Sequence, residues 1–408
     1  MVVNKKRIVL SNKIYPLFAG LSGDLIFYIA INTLFLTEVK KFSALEISSL
    51  TTISTLVMLL LNPLVMKIIN KIGALNSVRV GVILLFLGAF LITTGNNYLT
   101  ILIGSILYEA YAYFKKMDTV LLRKNLEFLK EEDRHLEYES RGSLIYAVVT
   151  MFTAFISGFL FNINPYIPMI GCLTFCLISI FLVNFLYEVK TPNNKVVKKD
   201  KRKVKITHLI FLILLLFAVC YSIIDLGQNN SKLFIQYKLT SFLTLENVSI
   251  ILTVIVSASR ITRVLANYFF IKIYEKYKSK ILSIIGYSLL ISFTLILIGN
   301  FIPLKIFGII LMSIGFCVFL AIRDPFDNYI KELLLDNTNP SDHKIMMNKL
   351  NFTRKVGKLI ISSLITLILL KDNLTYVMVF LLGLSCFSLV IVYEIYKILK
   401  KKKYSKLN

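Results

Sequence analysis

The stretch YPLFAGLSGDLIFYIAINTLFL, residues 15–36, decides how the chain is read. It is apolar over the length a helix needs to cross a bilayer, about 20 residues. Yet Asp24 stands near its middle. A carboxylate in hydrocarbon is expensive and is kept facing protein or a water-filled cavity. Segments of the same length and apolarity recur from one end of the chain to the other.

Composition agrees with that first segment. Of 408 residues, 56% are hydrophobic and only 17% charged, with a mean hydropathy of +0.73. A soluble domain needs more polar surface than this, so the class is polytopic membrane protein. The net charge of +24 would suggest nucleic acid in a soluble chain. Here it is concentrated in short loops between spans, as the positive-inside rule requires, and no nucleic-acid role is expected.

Twelve spans are predicted, at about 14–37, 44–66, 76–95, 98–120, 142–162 and 166–188, then 207–230, 241–270, 280–299, 303–323, 350–370 and 373–396. They form an N-terminal bundle (1–188), a basic linker (189–206) and a C-terminal bundle (207–408). The linker VKTPNNKVVKKDKRKVKI holds eight basic residues against Asp200 alone. Lys5, Lys6, Arg7 and Lys13 precede the first span, and the tail runs KILKKKKYSK. The opposite loops, GNNYL and NINPYIP, carry no charge. Both termini and the linker are therefore expected in the cytoplasm. The Lys-, Asn- and Ile-heavy composition suggests a bacterial cytoplasmic membrane. A retained first helix is expected rather than a signal peptide, because no small-residue cleavage site is evident.

Two loops are longer than turns require. Residues 115–141 carry seven basic and seven acidic residues, with Leu121, Leu122, Leu126 and Leu129 at helical spacing. They predict a surface helix or an extension of the fourth span. Residues 324–349 occupy the matching place in the second half.

The halves echo each other. Asp24 is followed 22 positions later by Glu46, and Asp225 is followed 22 positions later by Asn247. NTLFLTEVKKF and SKLFIQYKLTSF lie between. Counted from 207, Asp225 lies about 27 Å along its helix, close to the outer boundary. A seventh helix running on toward Tyr237 would bring it inward, to the depth of Asp24. Parallel repeats of this kind are a plan for transporters that open a central site to either side in turn.

With six spans, a basic linker and six more, the whole chain resembles the major facilitator superfamily. The signature of that family between its second and third helices has the form Gly-x-x-x-Asp-Arg-x-Gly-Arg-Arg. The nearest match here is MKIINKIGALN, where Asn70, Lys71 and Gly73 take the Asp, Arg and second Gly places. The carboxylate and the following basic pair are missing, which puts a strong ionic latch in doubt. The resemblance implies an all-α fold of two six-helix pseudo-symmetric bundles, and a gating role for Asn70, Lys71 and Gly73. The Gly-and-Pro motif of drug/proton antiporters is absent around Gly158 and Pro165.

Intramembrane charges are the candidates for function. Burial favours the protonated form of a carboxylic acid, which suits Asp24 to carry a proton; a permanent pair with a neighbouring helix is the alternative. Gly20 and Gly23 beside it allow close packing. Glu109 lies among Tyr108, Tyr111 and Tyr113, a face suited to a cation or an amphipathic solute. Asp118 is read as a structural partner of Arg123 or another basic group. Asp225, Gln228 and Asn229, with Asn230, form a second polar cluster. Arg260 and Arg263 near the cytoplasmic end of the eighth span counter carboxylates, line an exit or snorkel to the surface. Arg323, Asp324 and Asp327 close the tenth span and read as a cytoplasmic latch.

No metal site is expected, since Cys172 and Cys176 have no accompanying histidine. No glycine-rich phosphate loop is present, so neither a cofactor nor ATP hydrolysis is expected. An enzyme would need a nucleophile or acid–base set at one membrane face, and a channel would need a filter segment; neither stands out. The expectation is a monomeric secondary active transporter working by alternating access. Its expected cargo is a small amphipathic or cationic compound, exported against protons. Proton-coupled nutrient uptake and a non-transporting receptor or scaffold are the alternatives.

Overall fold

The computed structural model describes residues 5–189, 206–277, 280–339, 342–371 and 373–404. The basic linker therefore lies almost wholly outside the described residues. All regular structure among them is helical, and contacts divide the chain into two compact units.

The first unit comprises Met1–Phe42 and Ile53–Lys201. Its helices are α1 (Lys5–Leu21), α2 (Tyr28–Leu34), most of α3 (Ala44–Ile72), α4 (Ala74–Thr94), α5 (Tyr98–Lys115), α6 (Met117–Leu129), α7 (His135–Ile163) and α8 (Ile167–Leu182). The second comprises Ser43–Thr52 and Arg202–Asn408. It holds α9 (His208–Thr240), α10 (Leu245–Tyr277), α11 (Ile281–Phe301), α12 (Lys305–Ala321), α13 (Arg323–Asp336), α14 (His343–Leu369) and α15 (Leu374–Tyr404).

Nine helices among the described residues are long and apolar enough to cross a membrane. The three expected spans outside that set are 14–37, 98–120 and 350–370. Each departs for a chemical reason. The first is broken at Asp24, α5 carries Glu109, Lys115 and four tyrosines, and α14 carries Arg354, Lys355 and Lys358. Polar groups are placed where the lipid-crossing pattern fails, which marks the faces that do not meet lipid.

Each unit closes around its own core. Phe18, Val78, Val82, Val183 and Leu186 bring together α1, α4 and the end of the sixth span. Tyr15, Leu122, Leu126 and Tyr138 seat α6 against α1 and α7. The expected helix within 115–141 is thus a separate element that buries Leu121, Leu122 and Leu126, with Leu129 half-buried. In the matching place of the second unit, α13 buries Phe326, Ile330 and Leu334.

The internal repeat has a physical counterpart in backbone contacts. In the first unit α4 and α5 meet at Gly88 and Gly104, where a Cβ on Gly88 would lie 2.9 Å from the Gly104 carbonyl oxygen. In the second, α11 and α12 meet at Gly299 and Gly308, where a Cβ on Gly299 would lie 2.6 Å from the Gly308 carbonyl oxygen. Only glycine lets the chains come this close. A second echo ties the end of the first span of each unit to the end of the third. Lys40 Nζ donates to the Thr93 carbonyl at 2.7 Å, and Lys238 Nζ to the Asn300 carbonyl at 2.7 Å.

Helix α9 is the most deeply buried of the membrane-length helices among the described residues. It runs unbroken past Asp225 and Tyr237 to Thr240, as the repeat implies. Any polar side chain on it must therefore be satisfied by protein or by a ligand.

Candidate functional site

The first polar cluster lies where the first span breaks. Residues 15–36 were expected as one helix; instead α1 stops at Leu21 and α2 begins at Tyr28. The sequence GLSGD supplies the cause. Two glycines weaken the helix, and the Asp24 carboxylate takes the Leu25 amide at 2.7 Å in place of a helical bond. Packing holds the break in position. A Cβ on Gly23 would lie 2.5 Å from the Tyr146 ring, and one on Gly20 would lie 2.5 Å from Ile145 of α7.

Three tyrosines surround this unwound segment. Tyr108 donates its hydroxyl to Asp24 Oδ1, and Tyr111 donates to the Ser22 carbonyl. Their rings stack with centroids 6.4 Å apart. Tyr146 faces them from α7. On the far side, the Tyr28 amide donates to Cys172 Sγ at 3.2 Å. Asp24, Tyr108 and Tyr111 are thus brought together as expected from sequence. Glu109, one residue round the helix, adds its charge to the surroundings of Tyr108. Asp118 is buried and pairs with Lys115 at 3.5 Å, another basic group, while Arg123 pairs with Glu127 on the exposed side.

The second cluster is built on α9. Asp225 meets Lys358 of α14, Nζ to Oδ2, at 2.8 Å. Arg323, at the start of α13, lies 4.0 Å from Asp225 Oδ1. It also reaches Gln228 Oε1 at 3.4 Å and the Tyr221 hydroxyl at 3.4 Å. Arg354 lays its guanidinium over the Tyr221 ring, 3.4 Å from the centroid. Asn229 is half-buried on the same helix.

Two expectations change here. Arg323 does not join Asp324 and Asp327 in one latch; the turn between α12 and α13 points it back toward α9. Lys358, Arg354 and Tyr221 were not singled out from sequence at all. The available signal was three basic residues, Arg354, Lys355 and Lys358, inside an otherwise apolar span.

Further ion pairs link α10 to α13 and lie along α13. Arg263 grips Asp324 with two bonds of 2.6 Å, and Asn267 adds a third donor at 2.8 Å. Asp327 pairs with Lys331 one turn along α13. Arg260 is 7% exposed, so it does not snorkel.

In the 66–76 stretch, Asn70 and Lys71 are exposed. Gly73 takes φ +84 between α3 and α4, a conformation that disfavours any side chain. The carboxylate missing from this stretch arrives from elsewhere. Glu188, just after the sixth span, accepts from the Ala74 and Leu75 amides at 3.3 and 2.9 Å. It thereby caps the N-terminus of α4, where a negative charge is favoured. Lys124 joins it at 3.5 Å.

Among the described residues, no group of three or more His, Cys, Asp or Glu side chains is arranged to hold a metal ion.

Comparison with known proteins gives the following. The family model described as Major Facilitator Superfamily matches residues 14–330. No curated protein matches the chain by sequence. Among solved structures, a mutant form of the nucleoside transporter NupG aligns with a TM-score of 0.72 at 10% identity, covering 95% of this chain and 98% of that one. The unmutated NupG structure gives 0.69 at 12% identity, covering 95% and 99%. A bacterial homologue of the iron transporter ferroportin, in the inward-facing state, gives 0.68 at 16% identity, covering 95% and 98%. At these identities the likeness is one of fold.

Proposed function

The chain belongs to the Major Facilitator Superfamily, and on that premise we propose that it is a proton-coupled secondary transporter of a small amphipathic solute, with Asp24 as the coupling carboxylate. The observation that carries this reading is the break between α1 and α2. A carboxylate sits on unwound backbone, half-buried, and accepts from the Tyr108 hydroxyl and the Leu25 amide. Broken membrane helices supply backbone groups and freedom to move at the sites where transporters bind ions and solutes.

Protonation neutralises Asp24 and weakens both donor contacts, since each is stronger to a charged acceptor than to a neutral one. The gain or loss of one proton thus changes how firmly α5 is tied to the break. That is a local event able to bias two conformations of a carrier. Glu109, in the same unit, is the candidate to contact the solute. Asn70, Lys71, Gly73, Arg263 and Asp324 are the candidates for cytoplasmic gating. The excess of cations around Asp225 weighs against a cationic solute. The direction is read as export from a bacterial cytoplasmic membrane, with both termini cytoplasmic and the protein acting as a monomer.

Proteoliposomes enclosing a pH-sensitive dye test this. Amphipathic cations and anions, sugars, amino acids and nucleosides are added outside in turn. Solute-dependent proton movement that disappears in Asp24→Asn supports the reading; concentrative, proton-driven transport retained by that variant overturns it. The sign of the pH change gives direction: inside alkalinisation marks antiport, inside acidification marks uptake by symport.

A further inference from the structure

The cluster on α9, α13 and α14 holds more positive charge than its carboxylates neutralise. We propose that it is the subsite for an anionic group, a carboxylate or a phosphate monoester, carried by the transported solute. The proposal rests on the reading of the chain as a carrier and names the charge of its cargo.

Two carboxylates serve this region, and each is already engaged. Asp324 is committed to Arg263 and Asn267, with three bonds between 2.6 and 2.8 Å. Asp225 is committed to Lys358 at 2.8 Å. Arg323 is left with contacts of 3.4 Å to Gln228, 3.4 Å to Tyr221 and 4.0 Å to Asp225. Arg354 rests on the face of Tyr221. Arg323 thus keeps only a long ion pair, 4.0 Å, to a carboxylate already held by Lys358, and among the described residues Arg354 has no ion pair with a carboxylate.

Unmatched cations in an apolar bundle are costly, and a purely structural cluster would be better served by balanced pairs. Arg323 and Arg354 flank one ring, with their centres 5.9 and 3.4 Å from the Tyr221 centroid. A planar guanidinium offers paired N–H donors that match a carboxylate or phosphate. Two such forks beside one buried phenol form a receptor for an anionic head group.

The groups are reachable. Side chains of Asp225, Arg323 and Lys358 keep 22%, 23% and 19% of their surface, so they line a space rather than fill a sealed core. A phospholipid headgroup offers the same chemistry, but Asp225 lies about 26 Å along α9 from His208. That depth favours a solute over a lipid.

The test uses purified full-length protein in phosphatidylcholine nanodiscs, with thermal unfolding as the readout. Four probes share one ring and differ in charge: phenyl phosphate, benzoate, benzyl alcohol and benzylammonium. Phenyl phosphate and benzoate should raise the midpoint in a saturable way, and the neutral and cationic probes should not. Arg323→Gln and Arg354→Gln should each weaken the anions by about tenfold, the scale of one charge-assisted contact.

Benzylammonium stabilising as well as benzoate overturns the proposal, and this comparison needs no variant. No response to either anion, or an undiminished response in a folded Arg354→Gln protein, also overturns it. So does stabilisation that comes only from adding phosphatidylglycerol to the nanodiscs. Binding is read on the unmodified protein and needs no proton movement, so it can be scored whether or not Asp24→Asn abolishes proton flux. Proton coupling and anion recognition can therefore fail separately.

Discussion

Lys358 and Asp225 face each other across two helices of the second unit, with the ammonium 2.8 Å from the carboxylate. Each lies inside a segment that otherwise reads as apolar. Removing one partner leaves the other charged and poorly solvated. Loss of a sealed pair member costs about 3–5 kcal/mol; here the side chains are one-fifth exposed, so about 2 kcal/mol is the expectation for Asp225→Asn or Lys358→Gln. The double variant should recover at least half of that loss. Thermal unfolding in detergent checks it, and strictly additive losses would show that the pair is not coupled.

The Arg263–Asp324 pair has better geometry, with two bonds of 2.6 Å and Asn267 as a third donor. A double-mutant cycle with Arg263→Gln and Asp324→Asn should give a coupling of about 1–2 kcal/mol. If the pair is part of a gate, the same variants should change the solute exchange rate more than solute affinity. Unchanged exchange in both would leave it a structural clamp.

Gly88 and Gly299 occupy equivalent crossings in the two units, and each packs against a carbonyl oxygen of the neighbouring helix. Alanine at either position puts a methyl group against backbone, at 2.9 Å for Gly88 and 2.6 Å for Gly299. Both substitutions should destabilise by about 1–3 kcal/mol, the cost of overpacking. Gly299→Ala should be the worse of the two, because its nearest atom is closer. Unfolding midpoints compared at equal protein and detergent concentration decide the order.

The fold was legible because its signals are local. Span length, loop charge and the spacing of the halves are all read along the chain. So was Asp24, a charge inside an apolar run. The break beside it was also written in GLSGD, but the apolar residues on either side masked it. What escaped was chemistry assembled at long range. Glu188 caps α4 from 114 positions away, and nothing near Asn70 announces that a carboxylate will come from there. Lys358 and Arg354 escaped because a basic residue near a span boundary reads equally well as a topology signal. That Arg323 reaches Gln228, Tyr221 and Asp225 also escaped, because the turn between α12 and α13 sets its direction and sequence spacing does not.

Glu188 gives a direct test of that substituted carboxylate. Glu188→Ala removes the acceptor for the Ala74 and Leu75 amides, and should cost about 1 kcal/mol as the loss of a helix cap. Glu188→Gln keeps an acceptor and loses the charge that favours the helix N-terminus and Lys124, so it should cost less. Equal and negligible effects on the unfolding midpoint would remove Glu188 from any role at the α3–α4 turn.

Tyr108 separates coupling from binding at the first cluster. Tyr108→Phe keeps the ring that stacks on Tyr111 and deletes only the hydroxyl that donates to Asp24. Solute exchange at equal pH on both sides needs no net proton movement, so it should persist near its original rate. Solute-driven proton flux should fall by about tenfold, the effect of losing one hydrogen bond to a charged group. Asp24→Asn should abolish that flux while still reaching the membrane folded. A Tyr108→Phe protein with full proton flux would mean that Asp24 exchanges its proton without help from α5. One that loses exchange and flux together would place Tyr108 in solute binding instead, and the carboxylate in the break would need another partner to signal its protonation.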